Sequence, residues 1–230
     1  MSNDETLVST KDLTKVYETG SVKAHALRGV TLDVTAGDFL SIVGPSGSGK
    51  TTLLNLIGAL DSHTDGELNV LGRSMGSLNR RQRADMRLKS LGFVFQAYNL
   101  VPVLTARENV EFVLELQGAG SERRTRAREV LDELGLSELA DRRPLEMSGG
   151  QQQRVAVARA VASRPKLVLA DEPTANLDGE NAEILMNMMR RLRDEHAMTF
   201  LFSTHDPRVI AHATRVVTLT DGKVSGDEGR

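Results

Sequence analysis

Cysteine is missing from this chain of 230 residues, and so is any strong excess of charge of one sign. Without cysteine there can be no disulfide, thiolate zinc site, iron–sulfur cluster or cysteine nucleophile, and a reducing compartment is expected. The 29 Lys and Arg residues nearly balance the 31 Asp and Glu residues, which leaves a net charge of −2. No overall electric field would therefore draw the protein to nucleic acid or to anionic lipid.

Long apolar runs are missing too. The longest, such as residues 53–60, fall far short of the roughly 20 residues that a bilayer-spanning helix needs. The N-terminal residues lack the basic start and apolar stretch of a secretion signal, so we expect a soluble chain whose membrane role would need a partner. What the sequence does have is 40% apolar residues, enough for the core of one large domain or two small ones.

The order of predicted elements indicates an α/β fold. Strand-like pieces at 7–13 and 30–34 precede a nearly unbroken apolar strand, Phe39–Val43, of the kind buried on both faces of a parallel sheet. From residue 149 onward, helices and strands alternate at the spacing of α/β domains. The helices are predicted at 149–163 and 179–196, and the strands at 167–170, 199–203 and 215–220.

The stretch between about residues 97 and 147 has a different, helical character. Thr105 and Glu108 form a capping box that opens a first helix. Ser121 is predicted to cap a second helix, which Gly135 closes. We therefore expect a helical insertion within the α/β part of the chain.

A glycine-rich loop joins strand Phe39–Val43 to a helical pattern. Its sequence at 44–51, GPSGSGKT, matches the motif G-x-x-x-x-G-K-[ST] in full. The glycines let backbone N–H groups turn inward around a phosphate chain, Lys50 can bridge the β- and γ-phosphates, and the Thr51 hydroxyl can bind Mg²⁺. A plain Gly/Ser-rich turn is the alternative, which the order strand, loop, helix disfavours. The loop alone does not choose among a nucleotide kinase, a GTPase and an ATPase.

Two adjacent carboxylates follow the apolar strand at 167–170. Asp171 would hold Mg²⁺, directly or through water, and Glu172 would point at the γ-phosphate as the base or orienter of an attacking water. Taken alone, such a pair is often a solvated strand edge or a helix cap. Beside a phosphate loop, the pair predicts a hydrolytic site.

A Ser and two Gly at 148–150 begin the next predicted helix and make a second anion site. One nucleotide does not need two such sites. At this point the sequence resembles the ATP-binding cassette (ABC) ATPases, in which this signature loop of one subunit closes over the ATP held by the phosphate loop of the other. The resemblance covers essentially the whole chain, and ATP and Mg²⁺ are the cofactors that it implies.

The resemblance assigns roles to further residues. Tyr17 resembles the aromatic side chain that stacks on adenine, although a half-buried strand tyrosine is the alternative. Gln96 resembles the glutamine that contacts Mg²⁺ and the water, and His205 the histidine that contacts the γ-phosphate, although a lone histidine at a strand end is more often structural. The segment 175–178 resembles the loop that crosses the dimer interface.

Three groups of site residues follow. The catalytic residues are expected to be Glu172, His205, Gln96 and Lys50. The metal ligands are expected to be Thr51, Gln96 and Asp171. The nucleotide-binding residues are expected to be Tyr17, Gly44, Pro45, Ser46, Gly47, Ser48, Gly49, Lys50, Thr51, Thr52, Ser148, Gly149, Gly150, Gln151 and Asp178.

The family's fold is a P-loop NTPase (RecA-like) α/β core with an N-terminal antiparallel β subdomain and an inserted α-helical subdomain. We accordingly expect one ABC ATPase domain over 1–230, with 1–96 and 156–230 forming the core and β subdomain, and 97–155 the helical subdomain with the signature loop. Met147 stands where the family more often has Leu, and Asn176 where it has Ala. Neither departure removes a polar group, so the site is expected to be active.

A narrower resemblance is carried by 55–61 (NLIGALD), by 95–102 (FQAYNLVP) and by the triple Gln at 151–153. These segments are similar to those of the branch of ABC ATPases that serves lipoprotein release and macrolide export. The membrane subunits of that branch carry periplasmic domains. Amino-acid uptake systems and the cell-division ATPase share much of the same sequence. A soluble ABC ATPase acting on DNA or ribosomes and a phosphotransferase are more distant alternatives.

The resemblance also predicts partners and a location. We expect an ATP-dependent head-to-tail homodimer and an integral membrane permease with a periplasmic or extracytoplasmic domain, but no nucleic acid. The protein would then lie in the cytoplasm, on the inner face of the inner membrane. Tyr98, Leu100, Val101 and Pro102, just after Gln96, are expected to supply the apolar surface that meets the permease, although ordinary packing between domains is the alternative for each of them.

Overall fold

A computed structural model describes residues 5–20 and 22–229 of the chain. Residues 1–4, part of the stretch in which no secretion signal is expected, lie outside the described residues. The strands are β1 (Thr6–Thr19), β2 (Val22–Thr35), β3 (Phe39–Val43), β4 (Asp65–Val70), β5 (Arg73–Ser74), β6 (Leu91–Val94), β7 (Leu167–Asp171), β8 (Thr199–Ser203), β9 (Arg215–Thr220) and β10 (Lys223–Gly229). The helices are α1 (Lys50–Ile57), α2 (Arg80–Ser90), α3 (Ala106–Leu116), α4 (Arg123–Glu133), α5 (Gly149–Val161), α6 (Gly179–His196) and α7 (Pro207–His212).

The larger sheet has the strand order β10-β9-β3-β8-β7-β6 and confirms the predicted α/β fold. Its strands are parallel except for β10, which returns antiparallel to β9. The residues of β7 and β8 are buried almost throughout, as expected for strands covered on both faces. The predicted bounds of β3, β8, β9 and α6 agree with the structure. Parallel order brings the carboxyl ends of β3, β6, β7 and β8 to one edge, where the loops of interest begin.

The smaller sheet is antiparallel, in the order β2-β1-β4-β5, and its strands all come from the first third of the chain. Both β1 and β2 are 14 residues long, about two to three times the length that the sequence predicts. Only the second half of β2 alternates between buried and exposed side chains, whereas its first residues are exposed on both faces. The apolar pattern therefore marks the half that meets the core, and the rest of the hairpin is held by the backbone ladder.

The inserted helical part begins after β6. The capping box of α3 is present as predicted, with Thr105 accepting from the Glu108 N–H and Glu108 from the Thr105 N–H. The predicted cap at Ser121 is wrong, because Ser121 lies in a short 3₁₀ turn that runs directly into α4 without an extended capping residue. α5 ends at Val161, slightly before the predicted end. It continues through residue 155, where the sequence places the end of the helical subdomain, and the subdomain boundaries stay a prediction.

Two apolar cores fill the space on the two sides of the larger sheet. One joins the sheet to α3, α4, α5 and α6, with the rings of Phe39 and Phe202 4.5 Å apart. The other lies between the sheet, α1 and the antiparallel strands. Among the described residues, no helix combines the length and the apolar character that crossing a bilayer requires.

Candidate functional site

The loop between β3 and α1 lines a cavity at the carboxyl edge of the larger sheet. Gly44 and Gly49 have φ angles of +146° and +103°, in the left-handed range that favours glycine. Space restricts them as well: a Cβ on Gly44 would collide with the carbonyl oxygen of Leu219, and one on Gly49 would lie 2.6 Å from that of Ala26. The loop can therefore approach its neighbours this closely only with glycine at both positions.

Lys50 is the first residue of α1, and its ammonium folds back over the loop. The Nζ atom donates to the carbonyl oxygens of Gly44 at 2.8 Å and Pro45 at 3.0 Å. Both acceptors are neutral, so these bonds hold the cation in place without neutralising it. A phosphate chain in the cavity would meet this positive charge and the start of α1 together.

Thr51 and Asp171 offer a pair of oxygens to a divalent cation. The Thr51 hydroxyl donates to Oδ1 of Asp171 at 3.2 Å. Burial raises the pKa of Asp171 and the Glu172 carboxylate adds to the rise, whereas the nearby Ser203 side chain and the hydrogen bond from Thr51 oppose it. Hard oxygen donors are the ligands that Mg²⁺ prefers, and a cation here would offset the burial of the carboxylate. The residues present thus fit a magnesium ion.

Glu172 follows β7 with a φ of +48°, and its N–H donates to the Ser203 carbonyl at 2.8 Å. One carboxylate oxygen lies 2.7 Å from Nδ1 of His205, and the other accepts from the Thr204 hydroxyl at 3.3 Å. The Glu172 side chain is 17% exposed, whereas that of His205 is 75% exposed. The loop after β8 therefore orients a mostly buried carboxylate from both of its oxygens.

The structure brings most of the predicted site residues around one cavity of about 550 Å³. Its lining comprises Ala26, Gly44, Pro45, Ser46, Gly47, Gly49, Lys50, Thr51, Thr52, Gln96, Glu172, Ala175 and His205. Within the described part of the chain, neither the signature residues at 148–151 nor Asp178 belongs to this lining. One copy of the chain thus brings the glycine-rich loop together with Gln96, Glu172 and His205, and keeps residues 148–151, the predicted second anion site, out of this cavity.

Tyr17 lies beside this cavity and is held by two residues that the sequence analysis missed. Its hydroxyl donates to Oδ2 of Asp61 at 3.0 Å and also contacts the side chain of Thr52. The ammonium of Lys15, almost fully buried, sits 4.7 Å from the ring centre and donates to Oδ1 of Asp61 at 2.8 Å. Burial would raise the pKa of Asp61, but the bonds from Lys15, the Ser62 N–H and Tyr17 lower it overall. The ring is fixed in place while 40% of the residue stays exposed.

The signature loop caps α5 at its start. Ser148 Oγ accepts from the Gln151 N–H at 3.3 Å, and Gln151 Oε1 accepts from the Ser148 N–H at 2.9 Å. The serine hydroxyl therefore keeps its own proton for another acceptor. Gly149 is packed so that a Cβ would lie 2.7 Å from the Tyr98 hydroxyl, and a Cβ on Gly150 would collide with the Asn181 side chain.

Asp178 and Asp206 cap helices next to the site. Asp178 accepts from the Asn181 N–H at 2.8 Å at the start of α6. Asp206 accepts from the Arg208 guanidinium at 2.7 Å and from the Thr174 hydroxyl at 2.9 Å, which joins the loop of His205 to the loop after Glu172. The bonds from Arg208 are the main cause that lowers the pKa of Asp206 to about 2, against the effect of burial.

The Asp206 ionisation predicts a pH-dependent contribution to stability. Its folded pKa lies below its ordinary value of 3.8, so the contribution is complete above that value and is lost as pH falls towards 2. We expect Asp206→Asn to lower the free energy of unfolding by about 1 to 3 kcal/mol near neutral pH. Urea unfolding at several pH values should show the difference from wild type shrinking below about pH 4. Asp33→Asn, at an exposed carboxyl on β2, is the control, and a difference that stays constant in acid would contradict the assignment.

A glycine-rich loop between a parallel strand and a helix, with carboxylates at the end of a nearby strand, defines a nucleotide-binding protein of the P-loop NTPase class. The family model described as ABC transporter matches residues 27–175. The chain belongs to this family and is an ABC ATP-binding cassette, an ATPase of the transporter type.

Relatives and solved structures agree with this assignment. The chain is 43% identical over 223 residues to the lipoprotein-releasing system ATP-binding protein LolD 1 of Caulobacter vibrioides. This alignment covers 96% of this chain and 95% of LolD 1. The chain is 42% identical over 226 residues to the macrolide export ATP-binding/permease protein MacB of Syntrophobacter fumaroxidans, covering 97% of this chain but only 32% of MacB. A dimeric post-hydrolysis structure of the ATP-binding cassette MJ0796 bound to ADP and Pi matches with a TM-score of 0.88 and 42% identity, over 96% of this chain and 98% of that one.

Proposed function

We propose that two copies of this chain dimerise head to tail around two ATP molecules and that hydrolysis releases them. The observation that carries the proposal is the separation, within one copy, of the phosphate cavity from the signature loop. ATP brings about four negative charges, against which one copy offers Lys50, the start of α1 and a bound Mg²⁺. The Ser148 hydroxyl and the first N–H groups of α5 in a second copy would supply the missing donors.

The residues of one copy divide the work in this proposed site. Lys50 binds the β- and γ-phosphates, and the backbone of residues 44–49 surrounds them. Glu172, oriented by Thr204 and His205, accepts a proton from the attacking water or orients it. Mg²⁺, held by Thr51, Asp171 and Gln96, would neutralise charge on the phosphates.

Tyr17 is the proposed contact for the adenine ring, because one face is backed by Lys15 while part of the ring stays open. Stacking of a base on an aromatic ring contributes about 1 to 3 kcal/mol, so Tyr17→Ala should weaken ATP binding by about 5- to 150-fold. Tyr17→Phe keeps the ring and should stay close to wild type. Calorimetric titration with ATP measures both, and equal affinity of the Ala and Phe variants would remove the role.

A second cavity marks the proposed contact with a membrane permease. This apolar groove, of about 470 Å³, lies between α2, α3 and the loop after β6. Its lining comprises Leu60, Ala84, Arg87, Leu88, Leu91, Gly92, Phe93, Phe95, Asn99, Val101, Asn109, Phe112, Val113, Arg159, Ala160 and Ser163. Phe112 is 45% exposed there, and Phe95 directly precedes Gln96, so an occupant of the groove would touch the segment that reaches the nucleotide.

The occupant that we propose is a cytoplasmic segment of the permease. MacB relatives carry ATP-binding and permease parts in one polypeptide, of which this chain matches the cassette-sized third. Of the predicted contact residues, Val101 lines the groove, whereas Leu100 is half-buried and packs against the core. By likeness to LolD and MacB, the complex would extract or export lipoproteins, macrolides or similar amphiphiles, with the cassette on the cytoplasmic face of the inner membrane.

The groove is tested by a charge placed in it. We expect Phe112→Asp to abolish co-purification with the membrane permease that the wild-type chain captures, because burying the carboxylate in an apolar groove is costly. Ile184→Asp is the matched control, since Ile184 is also helical and 40% exposed but lies outside the groove. ATP-driven dimerisation should survive both changes. Retention of the permease by the Phe112 variant would exclude the groove as its docking site.

A further inference from the structure

A buried glutamine joins three segments that the proposed function assigns to two different ATP sites. Gln153 lies in the second turn of α5, and its side chain is fully buried. Its Nε2 atom donates to the carbonyl oxygen of Pro173 at 2.8 Å and to that of Phe95 at 3.4 Å. Pro173 directly follows Glu172, and Phe95 directly precedes Gln96. One side chain thus connects the signature helix to both segments that carry hydrolytic residues.

The other end of the same amide is unsatisfied. Among the described residues, Oε1 of Gln153 has no hydrogen-bond partner although it is buried. An unpaired buried oxygen costs free energy, which an apolar side chain of the same size, such as Met, would avoid. Packing alone therefore does not account for glutamine at this position. What only an amide can supply here is the pair of donated bonds that tie the two loops to α5.

A second tie joins the same segments nearer the surface. The Asn176 side chain donates from Nδ2 to the carbonyl oxygen of Gln96 at 2.9 Å. Tyr98, two residues beyond Gln96, places its hydroxyl against Gly149 in the first turn of α5. The segments 95–98 and 172–176 and the start of α5 are therefore linked at several points by side chains.

We propose that Gln153, with Asn176 as a second tie, is a positioning residue that couples the two ATP sites of the dimer. This inference rests on the proposed head-to-tail dimer. There, the start of α5 meets the ATP held by the partner copy, whereas Glu172 and Gln96 act on the ATP held by their own copy. When α5 closes on the partner's ATP, the bonds from Gln153 carry that displacement to the Pro173 and Phe95 carbonyls, and so set the position of Glu172 and Gln96.

The test compares the ATP dependence of hydrolysis in three full-length proteins: wild type, Gln153→Met and Gln152→Met. Gln152 is the matched control, because within the described residues its Nε2 donates to Met147 O, at 3.1 Å, next to its own helix, and to neither of the two loops. Coupling between sites typically amounts to about a 5- to 150-fold effect on affinity. We expect a Hill coefficient above 1 for wild type and the Gln152 variant, and a value near 1 with a lower kcat for the Gln153 variant. ATP binding by the monomer should change by less than about twofold, because Gln153 does not line the nucleotide cavity.

The outcomes separate a coupling role from a purely structural one. A Gln153 variant that is less stable, or slower, but as cooperative as wild type would overturn the inference. If that variant does not fold, Asn176→Ala decides, since Asn176 is exposed and its loss should lower the Hill coefficient without unfolding the chain. A non-cooperative wild type that stays monomeric with ATP would instead refute the proposed dimer. The coupling role alone would be refuted if the wild type, Gln153→Met and Asn176→Ala all dimerise with ATP and all hydrolyse it with the same cooperativity.

Discussion

Replacing Glu172 by Gln is expected to lower ATP turnover by about 10²- to 10⁴-fold, the usual contribution of a general base. The amide keeps the shape of the side chain and can still bond to Thr204 and His205, which lie within hydrogen-bond distance of the two carboxylate oxygens. It cannot accept the proton of the attacking water. The loss therefore falls on the transition state, and ATP binding should stay close to wild type.

The same variant should accumulate as a dimer, because ATP would be bound but not cleaved. Sedimentation velocity with saturating ATP and Mg²⁺ should show a dimer for Glu172→Gln and a monomer once the nucleotide is removed. Glu180→Gln, at an exposed position in the first turn of α6, is the control and should hydrolyse ATP as wild type does. A Glu172 variant that turns over normally, or that remains monomeric with saturating ATP, would contradict the role of this carboxylate or the dimer.

Much of the site could be predicted because its parts are local in sequence. The phosphate loop is one uninterrupted motif whose glycines are required by backbone conformation, and β3, β8 and β9 are short apolar runs with clear ends. Asp171 ends a buried strand and Glu172 follows it, so their place at the carboxyl edge of the sheet followed from parallel order. In each case the residues that predict the feature lie within a few positions of the residues that form it.

The parts that could not be predicted depend on contacts between distant segments. Lys15 and Asp61 are 46 residues apart, and only the packing of β1 against the loop after α1 brings them together around Tyr17. The bond from Asn176 to Gln96 joins residues 80 positions apart. The sequence left Leu100 open between a partner surface and ordinary packing, because an apolar residue in a loop carries no period that tells core from surface; in the structure it packs against the core.

A mixing experiment tests the shared site most directly. Lys50→Met removes the phosphate-binding cation but leaves the signature loop intact. Ser148→Asp disables the signature loop but leaves the phosphate loop with Lys50 intact. Aspartate is as good a helix cap as serine, so α5 should still form, while its negative charge repels the phosphates of the partner's ATP. Each variant alone should lose at least about 10²-fold in ATP turnover, the loss typical of removing one group that stabilises charge in a transition state.

An equal mixture of the two variants should recover activity, because each mixed dimer contains one site built from two intact halves. Random pairing makes about half of the dimers mixed, so independent sites would recover about a quarter of wild-type turnover. Coupling through Gln153 would reduce that fraction, since the defective site holds back the intact one. A mixture no more active than its components, with mixed dimers shown by sedimentation of differently labelled copies, would mean that the phosphate loop and the signature loop do not act across the dimer.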